Sequence, residues 1–67
     1  MTTSQFIKQY LGDITLYRLS KLTGIYIAGL DGYIKGTSEP SISRFIKIVN
    51  ALNVPENAIL EFIKKEQ

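Results

Sequence analysis

The sequence contains no cysteine and no histidine among its 67 residues. The first absence excludes disulfides and thiolate chemistry, and the two together would leave a zinc site to carboxylates alone, a ligand set that zinc does not favour. No apolar run approaches the roughly 18 residues needed to span a bilayer, so no membrane partner is expected. The opening residues Met1 to Gln5 lack the basic region and apolar stretch of a secretion signal, and the expected location is cytoplasmic. Charge of one sign is scarce as well. Eight Lys and Arg against six Asp and Glu leave a net charge of +2, a field too weak to announce a nucleic-acid partner by itself. There is no phosphate-cradling glycine loop, no nucleophile beside a base and no carboxylate pair with a reason to sit together. An enzyme and a small-molecule cofactor are therefore not expected.

What the chain does have is helical periodicity. Its hydrophobic fraction of 45% suits a folded protein, and its length suits one domain over residues 1–67 that buries about 60% of the surface of the unfolded chain. Thr2 and Gln5 have capping-box spacing before a helix over 3–11, with Phe6, Ile7, Tyr10 and Leu11 repeating at three and four. Gly12-Asp13 breaks it. Thr15 is an N-cap for a second helix over 16–22, with Leu16, Leu19 and Leu22 inward, ended by Thr23-Gly24. A third helix is expected over 27–34 despite the cost of Gly29 and Gly32, although Ile25-Tyr26-Ile27 out of context could pass for a strand, and Gly36 closes the segment. Ser41 caps a fourth over 42–52, with Ile42, Phe45, Ile46, Val49 and Leu52 as its stripe. Pro55 and Glu56 open a fifth that ends in Lys64 and Lys65, both suited to the helix dipole. The expected core is Phe6, Leu19, Leu30, Ile42, Phe45, Ile46, Val49 and Leu52.

Several short stretches in fixed order resemble one family. They are Thr15-Leu16-Tyr17-Arg18-Leu19-Ser20 as a second-helix opening, Gly24-Ile25 as the turn, and Leu30 at a buried aliphatic position. Gly36 follows twelve residues after Gly24, and Pro40-Ser41-Ile42 with the run from Ile46 to Val54 completes the series. The pattern is similar to the Cro and phage-repressor type of helix-turn-helix domain, also called XRE-like, across about two thirds of the chain. No single motif is specific; the combined spacing is. The resemblance implies an all-α, compact, five-helix, lambda-repressor-like DNA-binding domain. In it the second helix crosses the DNA backbone and the third enters the major groove. Small residues at Ser20 and Gly24 would let these two helices cross closely.

Carried over from the family, the reading face of the third helix would be Tyr26, Ile27, Ala28, Gly29, Asp31 and Gly32. Phosphate contacts would come from Thr15, Lys35, Thr37, Ser38, Ser41 and Arg44. The sequence departs from the family here. Base edges are read by Arg, Lys, Asn and Gln, and none lies between Ile25 and Ile34. Ile27 or Ala28 could touch a thymine methyl, and Asp31 could accept from a cytosine amine. Equally, this face could be plain packed or exposed surface, and Lys35, Thr37, Ser38 and Ser41 a plain solvated loop. Ile34 stands where the family often has an acid, Leu16 where it often has a phosphate-binding glutamine, and Tyr26 in place of a small N-cap. Arg18, Lys21, Arg44 and Lys47 read first as solvated charges, although Arg44 near the start of the fourth helix could reach a phosphate, and Tyr10 and Tyr33 read as core.

Two readings follow. One is a Cro-like repressor acting as a homodimer on a double-stranded DNA operator. The other is a phage-type antirepressor or modulator that uses the same fold to bind a repressor protein. An apolar third helix beside Tyr26 suits the second, as do Leu60 and Ile63, which one face of the fifth helix cannot bury together with Ala58, Ile59 and Phe62.

Overall fold

A computed structural model describes residues 1–65. It contains five helices in the order α1 (Thr3–Leu11), α2 (Leu16–Thr23), α3 (Ile27–Lys35), α4 (Ile42–Ala51) and α5 (Glu56–Lys65). No strand occurs among the described residues. No helix among them is long and apolar enough to cross a membrane.

The helix starts follow from local chemistry. Thr2 Oγ1 accepts from the Gln5 amide at 3.1 Å, while Gln5 Oε1 accepts from the Thr2 amide at 2.8 Å, a reciprocal box that satisfies two orphan donors. Thr15 and Ser41 each accept from an amide three residues on, Arg18 at 3.1 Å and Arg44 at 3.2 Å. Tyr26 supplies no side-chain cap to α3. The helix ends use left-handed residues where the chain must turn, Gly24 at φ +75° and Gly36 at φ +82°. Observed boundaries differ by one residue from the sequence expectation at the ends of α2, α3 and α4. Pro55 precedes α5 rather than sitting in its first turn, and its carbonyl accepts the amides of Ala58 and Ile59.

The core joins Phe6 and Ile7 of α1, Leu19 of α2, Ile25, Leu30 and Tyr33 at α3, and Phe45, Ile48 and Val49 of α4 to Leu52 and Val54. An aromatic cluster closes one end, where Phe6 meets Tyr10, Phe45 and Phe62 at centroid distances of 5.3, 6.2 and 4.3 Å. Ser4 is buried and its hydroxyl donates to the Ile34 carbonyl, tying α1 to the end of α3.

Six of the eight expected core residues are buried, and two are not: Ile42 is 81% exposed and Ile46 41%. Helix α4 carries two overlapping stripes at helical spacing, 42/45/46/49/52 and 45/48/49/52. Its rotation against the other helices buries the second, with Ile48 at 1% exposure. Leu22, expected inward, is also exposed. Thr23 takes the buried place on α2 because its hydroxyl is satisfied internally, donating to the Leu19 carbonyl at 2.8 Å and accepting from the Ile25 amide at 3.2 Å. Ile34 packs partly buried against the core, as does Tyr10. Leu60 and Ile63 remain exposed on α5.

Candidate nucleic-acid interface

The turn that aims α3 is held from both sides. The Gly24 amide donates to the Ser20 carbonyl at 2.8 Å, and the Ser20 hydroxyl donates to the Ile25 carbonyl at 2.6 Å. Ile25 is buried beneath them. Of the two roles expected for Gly24, ending α2 at a positive φ and letting the helices cross closely, the structure bears out the first, since a Cβ there would meet nothing within 4 Å. Glycine is needed for its positive φ, and Ser20 contributes its hydroxyl to the turn.

With Leu30 and Tyr33 buried, α3 presents a defined outer surface. Tyr26 is 82% exposed, and Ile27 and Ala28 beside it are exposed. Asp31 is half-buried and pairs with Lys35 at 3.0 Å, one helical turn on. Both partners of this pair are well solvated, so it contributes little to stability. It does place a cation against the one carboxylate of the helix. Gly29 and Gly32 lie against the protein itself. A Cβ at Gly29 would come 3.6 Å from Ile25 Cγ2, and one at Gly32 would come 2.6 Å from Ser38 Oγ. The exposed part of the expected reading face is therefore Tyr26, Ile27 and Ala28, with Asp31 half-buried beside them.

Gly32 organises the next segment. Its carbonyl accepts from the amides of Gly36 and Thr37, both at 3.0 Å, and of Ser38 at 3.3 Å. The Thr37 hydroxyl also donates to it, at 3.4 Å. The missing side chain lets the loop fold down over the helix end, leaving Lys35, Thr37 and Ser38 exposed around it. Ser41 follows as the α4 cap. Arg44, in the first turn of α4, donates from Nη1 to the Tyr33 hydroxyl at 2.7 Å. The loop is thus bonded to the end of α3 through the Gly32 carbonyl, and α4 to α3 through Arg44 and Tyr33, while Lys35 pairs within α3 with Asp31. Thr15 stands apart at the head of α2, exposed, with its oxygen engaged by the Arg18 amide.

The sequence reading placed Tyr33 in the core and missed its polar end. The link to Arg44 joins residues eleven apart on different helices, and no spacing rule signals it. A second exposed strip went partly unseen on α2, where Tyr17 and Leu22 are exposed and Lys21 Nζ lies 5.3 Å from the centre of the Tyr17 ring. The surface has two characters. Hydroxyls and cations around the α3–α4 loop are of the kinds that hold phosphate oxygens, whereas the amides of Gly36, Thr37 and Ser38 are taken by the Gly32 carbonyl. The outer face of α3 offers apolar and aromatic area with few hydrogen-bonding groups.

Comparison with known families gives a match to the family described as Helix-turn-helix over residues 7–59, the span from α1 into α5. Comparison with curated proteins and with solved structures gives no match. With most of its length inside the family match, and with a glycine turn setting α3 against α2, this chain belongs to the XRE-like, Cro-type helix-turn-helix family of DNA-binding regulatory domains.

Proposed function

We propose that the protein is a Cro-like repressor that binds a double-stranded DNA operator through α3 and works in the cytoplasm as a homodimer. The observation that carries this reading is the helix-turn-helix itself, with the Gly24 turn setting α3 against α2 inside the family match over residues 7–59. Tyr26, Ile27 and Ala28 are exposed, and Asp31 partly so, on a helix whose opposite side is locked into the core. The polar set of Lys35, Thr37, Ser38, Ser41 and Arg44, with Thr15 at the head of α2, supplies the phosphate contacts. Size is compatible with a dimer on a two-fold operator. The longest dimension of the chain is 29 Å, while half-sites of a two-fold operator lie about 34 Å apart, so one copy covers one half-site.

Few base-reading groups and a net charge of +2 point to binding dominated by phosphate contacts, hence to steep salt dependence. The test is selection from a random duplex pool, followed by titration of selected and random duplexes at about 50 and 200 mM salt. Selective enrichment supports the operator reading. Equal, weak binding to both pools argues against it.

The exposed Tyr26 and Ile27 favour a second reading, a phage-type antirepressor that masks a repressor protein. Aromatic and aliphatic side chains suit the centre of a protein interface. Capture of a single DNA-binding regulator from native extract, with no duplex enriched by selection, would favour it.

A further inference from the structure

Tyr33 is buried in the core through its ring, yet its hydroxyl reaches the guanidinium of Arg44 at 2.7 Å. This is the side-chain hydrogen bond that joins α3 to α4. Arg44 has no carboxylate at ion-pair distance among the described residues, unlike Lys35 on Asp31 and Lys65 on Glu61. The chemistry of the acceptor matters. A carboxylate would orient an arginine and also neutralise it. A phenol orients the arginine and leaves its full charge, together with the other N–H donors of the guanidinium fork. Arg44 also sits in the first turn of α4, where the amides of Ile42 and Ser43 head the helix and the Arg44 amide is capped by Ser41. An aimed, uncompensated guanidinium at that point is suited to an anionic oxygen of the DNA backbone.

We propose that Tyr33 is a positioning residue for DNA binding: its hydroxyl holds Arg44 in place as a phosphate clamp and couples the clamp to the reading helix. The proposal rests on the DNA-binding reading above. Holding the side chain before binding removes an ordering cost that would otherwise weaken the complex. A free arginine would contribute the same charge with less affinity.

The experiment titrates the full chain and its variants Tyr33→Phe, Arg44→Ala, Arg44→Lys and Tyr33→Phe/Arg44→Ala against a random-sequence duplex, at several salt concentrations. Circular dichroism confirms folding of each. Arg44→Ala weakens binding and lowers the salt slope by about one. Tyr33→Phe weakens binding by about 3- to 10-fold, the order expected for immobilising one long side chain on binding, and leaves the salt slope unchanged because the charge remains. Arg44→Lys keeps the slope and loses affinity. In the Arg44→Ala background Tyr33→Phe has no further effect. A structural role for the hydroxyl would instead weaken binding equally in both backgrounds, and that result overturns the proposal. So does an unchanged affinity for Tyr33→Phe when Arg44→Ala binds weakly. A wild-type chain that binds no duplex even at low salt removes the DNA reading and the clamp with it.

Discussion

The rings of Phe6 on α1 and Phe62 on α5 stack with centroids 4.3 Å apart and 16° between their planes. Phe45 of α4 lies 6.0 Å from Phe62, so three helices meet in one aromatic cluster. Helix α5 has no fully buried residue, and it packs on the core through Ala58, Ile59 and Phe62. Phe62→Ala is expected to lower stability by about 2 kcal/mol, below the about 3–5 kcal/mol of a fully buried phenylalanine, because the ring is only partly covered. Phe45→Ala should cost the full amount and unfold so small a domain. Thermal melts of the two variants give the order. A Phe45→Ala melt within a degree or two of the parent would contradict the placement of α4.

The rotation of α4 has its own test. Ile42 and Ile48 are the same residue type on one helix, one 81% and the other 1% exposed. Ile42→Ser should change stability by no more than about 0.5 kcal/mol. Ile48→Ala should cost about 2–5 kcal/mol. Urea denaturation of both variants decides the matter, and equal losses would mean that the other apolar stripe is the buried one.

Two glycines should respond with opposite sign to the same substitution. Gly36 stands at φ +82°, where a Cβ is strained, and Gly36→Ala should cost about 1–2 kcal/mol. Gly29 is inside α3 with room for a methyl at ordinary contact distance. Gly29→Ala should stabilise by about 0.5–1 kcal/mol through helix propensity. For a domain of this size, about 1 kcal/mol moves Tm by about 4–8 °C, so scanning calorimetry resolves both.

Charge and apolar surface on α3 separate the two functional readings. Lys35→Ala removes one cation and should lower the salt slope of duplex binding by about one, while leaving an apolar protein interface nearly unchanged. Ile27 is 43% exposed, so Ile27→Asp should leave the melting curve within about 0.5 kcal/mol of the parent and disrupt a protein partner. Reporter assays in cells complete the comparison. If Lys35→Ala abolishes activity while Ile27→Ala has no effect, the antirepressor reading is dropped.

Much of this protein is legible in the sequence because the determinants are short-range. Thr2, Thr15 and Ser41 each cap an amide three residues away, and Gly24 and Gly36 end helices by their own conformational freedom. The five helices follow from such local rules. The tertiary structure decided the rest. A helix with apolar residues at 42, 45, 46, 48, 49 and 52 offers more than one face for burial, and only its neighbours choose between Ile46 and Ile48. A threonine replaced Leu22 inside because two backbone partners waited for its hydroxyl. The fit of Ser38 over Gly32 and the bond from Arg44 to Tyr33 depend on where separate elements land. Helix formation is set by residues within one turn, whereas the rotation of a helix about its axis is set by partners far away in sequence.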